Sequence, residues 1–403
     1  MKQFYTILLL IVLISTTGFR SSLHAQIIIE SAPPLVEMVE KIIGEGVITN
    51  NVAYQGTDIA RGTFDNGSTT ILGLDQGLVL STGSVDLMQG PNINCATSVF
   101  NNSPGHPLFN SLSWLGYSSL DAAVLEFDFI AETDTFRFNY VFGSDSYNDG
   151  ASILTEDAFA CFISGPNPEG GLYTNKNIAI VPGTDDVYIS SGNINNGLSY
   201  CGVIPSGPCT NCDYYIDNTN GVTLEYDGIT TVLTTEVTVV PCEIYHIVIG
   251  VCDLDVNIFD GGVFIEESTY QSPVMQITLS PDTSSTVNLI EGCSSTDLIF
   301  KLPDVKYAPA ILSLDMSGST ADPGTDFEEP MPTELFIEEG QDSISLHIQP
   351  VKDGLPEGDE VLQVIVEYSL TCPVHTDTFE IVISDYFDMI TQTPPDTTVC
   401  EGE

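Results

Sequence analysis

The segment DSYNDGASILTE, Asp145 to Glu156, sets acidic side chains at the spacing of a calcium loop. A helix-loop-helix calcium loop uses oxygen ligands at positions 1, 3 and 5, glycine at 6 and a bidentate Glu at 12. Asp145, Asp149, Gly150 and Glu156 take positions 1, 5, 6 and 12, Tyr147 breaks the set at position 3, and Asp157 follows directly. A second acidic run, CDLDVNIFDGG, alternates oxygens at Asp253, Asp255 and Asn257 and adds Asp260, with Ile258 where such a loop would turn on glycine. Each run competes with a plainer reading, a solvated turn in which Asp and Asn bond their own backbone. Calcium accepts clustered Asp, Asn and carbonyl oxygens from loops without any helix, so two loops meeting at one end of a β-sandwich would serve it.

The elements around these runs are strands. FRFNYVFG precedes the first run and DAFACFISG follows it, so the helices that aim the ligands of a helix-loop-helix site are missing. In TFRFNYVF, Phe136, Phe138, Tyr140 and Phe142 share one face by the period of two. Short β-branched and aromatic runs broken by Gly, Asn, Asp and Pro continue along the chain, which predicts an all-β sandwich or barrel. One helix is expected, in SAPPLVEMVEKIIGEG: Pro34 suits its first turn, Leu35, Met38, Val39 and Ile42 fall on one face, and Gly44 stops it.

Residues 1–25 have the layout of a secretory signal peptide, Lys2, an apolar run too short to span a bilayer, and small residues up to Ala25. The expected location is therefore secreted or outer cell surface, with cleavage near Ala25 and no transmembrane segment. Nine basic residues face 56 acidic ones. Most carboxylates must be solvated or share bound cations, which excludes nucleic acid and anionic membrane as partners.

Ten cysteines in an exported chain read as disulfides. Cys201, Cys209, Cys212, Cys242 and Cys252 are candidates, and Cys161, inside a strand, is the expected buried free thiol. CTNC has zinc-knuckle spacing at Cys209 and Cys212, but no second CxxC or HxxxH completes four ligands. Catalysis has little support, since HExxH, GxSxG and the phosphate-binding loop are all missing. His246, in EIYHIVIG, reads as a strand residue satisfied by packing.

Composition shifts to Ser, Pro and Thr near Ser272, so residues 26–271 and 272–390 read as separate blocks. QTPPD at Gln392 to Asp396 reads as a linker, and 391–403, with Cys400, as the start of a further module cut short.

The series VITNNVAYQG, GTFDNG, GLDQGLVLSTG, DAAVLEFDF, FRFNYVFGSDSY, EDAFACFISGPNPEGG, NIAIVPGT, EYDGITTVLT, PCEIYHIVIGVCD and FDGGVFIEE resembles the choice-of-anchor L domain of secreted and surface proteins in Bacteroidetes-type bacteria. The second block, with SGSTADPGTDFEE, PVKDGLPEGDE and FEIVISDY, is similar to a Calx-beta domain. These resemblances imply a large jelly-roll-like β-sandwich followed by an immunoglobulin-like one, the latter binding calcium through Glu291, Asp326, Asp353, Glu357, Glu360 and Asp385. Lys352, where calcium-binding members tend to have Asp, implies a weaker site. Cys293 and Cys372, both inside this block, are the candidate disulfide there.

The expected function is a non-catalytic adhesion or extracellular scaffold module stabilised by calcium, with an extracellular protein or glycan as partner. The alternative is a calcium-dependent carbohydrate-binding module, since DAFACFISGPN and VTLEYDGITTVLTTEV resemble strands of legume-lectin jelly rolls. Trp114, Tyr214 and Tyr215 would then stack on sugar rings.

Overall fold

The computed structural model describes residues 26–94, 97–113, 116, 118–147, 156–197, 207–280, 286–328 and 331–386. The signal segment, Trp114, Asp149, Cys201 and residues 391–403 lie outside them.

Strands dominate, and they form two sandwiches in sequence. In the first, an 8-stranded sheet runs in the order Ile28–Ser31, Arg61–Asp65, Gly77–Ser81, Gly261–Glu266, Thr135–Ser144, Gly228–Thr230, Tyr215–Asp217, with Leu233–Thr238 also on Thr135–Ser144. The facing 6-stranded sheet runs Thr49–Gln55, Ser119–Ile130, Ile244–Leu254, Glu156–Pro166, Leu172–Asn177, with Ile189–Ser190 on Glu156–Pro166. Phe136, Phe138, Tyr140 and Phe142 enter the core between the sheets, as their alternation predicts, against Phe127, Phe129, Phe159 and Ile249. Val141, on the opposite face, packs with Phe64, Val79, Tyr226 and Phe264 in a second cluster. The larger sheet is therefore apolar on both faces, which is why its central strands carry so few charges.

The expected helix is Leu35–Ile43, bounded by Pro34 and by Gly44 at φ 104°, and it buries Met38, Val39, Ile42 and Ile43. The structure adds a short α-helix, Pro107–Asn110, which His106 caps by accepting a hydrogen bond from the Leu108 N–H, and several 3-10 turns. Among the described residues no helix is long and apolar enough to cross a membrane.

The second sandwich packs a 3-stranded sheet, Gln276–Ser280, Thr296–Lys301, Ser343–Ile348, on a 5-stranded one, Thr286–Ile290, His375–Ser384, Glu360–Tyr368, Ala310–Asp315, Glu334–Ile337. Leu298, Phe300, Leu312, Ile348, Leu362 and Val364 fill its core. Thr286–Ile290 joins His375–Ser384 in parallel, the other pairings being antiparallel.

Cys372 does not pair with Cys293. It bonds Cys242 across the boundary between the sandwiches, and Cys293 is disulfide-bonded as well. Beside this crosslink, Glu132 of the first sandwich accepts hydrogen bonds from Tyr270, Ser272 and Thr371 at 3.0, 2.8 and 3.1 Å. Cys209 bonds Cys212, so CTNC is a disulfide loop. Cys161 is free and buried as expected, but so is Cys252, which points from its strand into an apolar cluster with Ala158, Ala160 and Val248 and meets no second sulfur.

Candidate functional site

Two acidic sites form, one at an end of each sandwich, where strands stop and their loops meet. In the first, the register of the antiparallel pair Ile244–Leu254 and Glu156–Pro166 sets Asp253 directly opposite Asp157. The Thr135–Ser144 strand ends one residue before Asp145, and Gly261–Glu266 begins one residue after Asp260. Ser144 pairs with Gly261, and the Asp145 N–H donates to the Asp260 carbonyl at 3.1 Å. Strand pairing thus gathers Asp145, Asp157, Asp253 and Asp260, all of them buried. Glycine lets the backbones close in, because a Cβ on Gly261 would lie 2.6 Å from that of Asp157, and one on Gly83 1.8 Å from Asp260 Oδ2.

Two further acids, Glu225 and Asp227, enter from the segment before Gly228–Thr230, on either side of buried Tyr226. The Asp227 N–H donates to Asp145 Oδ1 at 3.1 Å, and Glu225 lies within hydrogen-bond reach of the Asp145 carboxyl. Donors are few for so much acid. Ser144 and Ser146 hydroxyls reach Asp157 at 2.6 and 3.1 Å, the Val99 N–H reaches both oxygens of Asp260, Thr97 donates to Glu225, and Asn92 to Asp227. Asp145 Oδ2 and Asp253 Oδ1 are buried without a hydrogen-bond partner. Burial, reinforced by Glu225 for Asp145 and by Asp157 for Asp253, holds both carboxyls well above the usual range. Burial likewise pushes Asp157 and Asp260 up to about 7.

Among the described residues no Lys or Arg forms an ion pair with Asp145, Asp157, Glu225, Asp253 or Asp260. Lys41 binds Glu267, Arg61 binds Asp58, Arg137 faces Glu236, and Lys176, Lys306 and Lys352 lie over Tyr173, Tyr307 and Tyr386.

The rest of the acidic runs goes elsewhere. The strand stops at Leu254, and Asp255, at φ 74°, turns away to accept from Ser113 at 2.8 Å. Asn257 donates to Asp121 at 3.1 Å. Glu156 is bound by Ser190 and by Tyr188 on the far side of the strand from Asp157. Asp149 lies outside the described residues, so the structure gives no view of the full twelve-residue loop. Tyr147 occupies no ligand position: it is buried against Phe142 and Tyr215.

The second site is more convergent. Asp326, Glu357 and Glu360 each bring one carboxylate oxygen to within 4.8 Å of the others. Asp326 stands in the loop after Ala310–Asp315, Glu360 opens the next long strand, and Asp385 and Glu291 directly follow the paired strands His375–Ser384 and Thr286–Ile290. Asp385 takes the N–H groups of Glu357 and Gly358 at 3.2 and 3.0 Å, which fixes the loop carrying Glu357. Asp326 Oδ1, Asp353 Oδ2 and Glu291 Oε2 have no hydrogen-bond partner. The neighbouring carboxyl of Asp326, then burial, lifts Glu360 to about 7. Asp322, which the sequence reading passed over, adds charge to Glu357 and Glu360. Lys352 lies over the Tyr386 ring, 3.4 Å from its centroid. Hard oxygens from several loops with little positive charge between them could hold a divalent cation, Asp326, Glu357 and Glu360 being the three that converge.

Three further candidates lie among the described residues. His246 lies on a strand as expected, and its Nδ1 is 2.7 Å from Asp128 Oδ1 and its Nε2 3.8 Å from Glu126. Tyr214 and Tyr215 pack against the main core.

Residues 28–271 match the family model described as the choice-of-anchor L domain. Among solved structures the chain is similar to a crystal structure of the apo form of the Calx CBD1 domain, at 17% identity and a TM-score of 0.21, covering 28% of this chain and 98% of that one. No curated protein sequence matches the chain.

Proposed function

The chain belongs to the choice-of-anchor L family, a cell-surface or extracellular module, and from that premise we propose that it is a non-catalytic adhesion or scaffold segment stabilised by calcium. The convergence of Asp326, Glu357 and Glu360 carries the calcium reading. Carboxylates this close repel one another, and a divalent cation among them replaces repulsion with attraction and ties the loops of one sandwich end together. The location proposed is outside the cell, after removal of the signal peptide near Ala25; crosslinks from Cys209 to Cys212 and from Cys242 to Cys372 suit an oxidising compartment.

Melting of the full chain with calcium and with chelator tests the proposal, using Asp326→Asn with Glu360→Gln to remove the ligands. Calcium should raise the midpoint of the wild type more than that of the variant, and equal responses would sink the site. Antibody labelling of intact cells tests the location.

A further inference from the structure

We infer that the first sandwich holds a second divalent-cation site, of the calcium class, among Asp145, Asp157, Glu225, Asp253 and Asp260, separate from the site in the second sandwich. Four features of the geometry point to it. The acids come from separate segments of the chain, brought to one place by strand register, and they are buried. The Asp145 N–H bonds the Asp260 backbone and Asp145 Oδ1 holds the Asp227 N–H, so this part of the cluster is fixed rather than free to splay into solvent. Asp145 Oδ2 and Asp253 Oδ1 are left without donors inside it. No Lys or Arg among the described residues pairs with the cluster, and every short contact it does receive comes from a neutral hydroxyl, side-chain amide or backbone N–H.

An unpaired buried carboxylate is costly, and adjacent ones raise the cost. Two arrangements relieve it: shared protons, or a cation. The oxygens stand in pairs, Asp145 with Glu225 and Asp157 with Asp253, and Asp260 feels both Asp157 and Glu225. Among the described residues only Asp326, Glu357 and Glu360 bring three carboxylate oxygens within 4.8 Å, so a cation in the first sandwich would have to draw the two pairs, which come from both sheets, in toward it. Carboxylates in irregular, many-loop array favour calcium over magnesium, which demands near-octahedral geometry and keeps its waters.

The test uses the full chain with the second site disabled by Asp326→Asn and Glu360→Gln. Titration with calcium chloride by calorimetry at neutral pH should still show saturable binding, and calcium should still raise the melting midpoint against EDTA. Adding Asp253→Asn, or Asp145→Asn, should weaken that binding at least tenfold while leaving the chain as stable as its parent in EDTA, since a neutral amide removes like-charge repulsion. Absence of calcium binding in the chain with only the second site disabled would overturn the inference and leave proton sharing as the explanation. Because that measurement precedes any change to the first sandwich, a misfolded Asp253→Asn chain would not obscure it. Loss of calcium response at the second site alone would leave this inference standing.

Discussion

Asp157 and Asp253 face each other across one rung of an antiparallel ladder, both buried and near enough for their carboxyls to share a hydrogen bond. Like charges at directly opposed positions destabilise a sheet, so this rung is tolerable only when a proton or a cation lies between them.

The pH dependence of stability follows in sign. Burial raises Asp157 and Asp260 to about 7 in the cation-free fold, whereas an unfolded Asp titrates near 3.9. The folded chain binds more protons between those values, so this contribution is complete below about pH 4 and is lost as the pH rises through about 7. Calorimetric scans in EDTA should show the midpoint falling by on the order of 5 °C between pH 4.5 and 7.5. With saturating calcium the fall should vanish. A midpoint in EDTA that climbs across this window would contradict the assignment.

Gly83 is a packing requirement of the acidic end. A Cβ there would lie 1.8 Å from Asp260 Oδ2 and drive that carboxylate off the Val99 N–H. Gly83→Ala should cost about 1–3 kcal/mol in urea denaturation and weaken calcium binding in the chain lacking the second site. A substitution that leaves both unchanged would mean that the Asp260 carboxyl has room to move.

The crosslink between Cys242 and Cys372 spans a sequence separation of 130 and joins the sandwiches. Chain-entropy arguments assign such a closure about 4–5 kcal/mol. Cys372→Ser should lower the melting midpoint and split one calorimetric transition into two. A single transition at the wild-type temperature would show that the Glu132 hydrogen bonds suffice to couple the halves.

Cys161 and Cys252 are sealed in the first sandwich, and burial pushes both thiols far above their ordinary range. Iodoacetamide should leave both unmodified in the native protein and label both in guanidinium, as read by peptide mass spectrometry. Native labelling of either one would reveal an opening of the sheet that carries it.

Much of the architecture was legible because it repeats. The period of two through Phe136, Phe138, Tyr140 and Phe142 and the stripe of Met38, Val39 and Ile42 are local, and each sits where its period places it. The acidic site was legible only in part. Asp145, Asp157, Asp253 and Asp260 announce themselves by density in sequence, but Glu225 and Asp227 join them through tertiary contact alone, their one signal being an acid on each side of a tyrosine in EYDG. Asp255 and Asn257 stand outside the gathered cluster because the strand ends at Leu254, after a shift of register between Val251 and Asp253. Pairing Cys372 with Cys293 assumed that a disulfide stays within its block, and nothing in local sequence tells that the partner lies in the other sandwich.

The bridge from Cys242 to Cys372 also sets where mechanical tension would run. Pulled between Ile28 and Ser384, the covalent backbone carries force as far as Cys242, crosses the sulfur bridge, and resumes at Cys372. Everything between is bypassed, including Asp253, Asp260, Asp326, Glu357 and Glu360. The second acidic end therefore keeps Asp326, Glu357 and Glu360 on a shielded loop of chain. The first divides its ligands between that loop and the loaded stretch that carries Asp145, Asp157 and Glu225, so a pull would disturb the first end before that bond is cut.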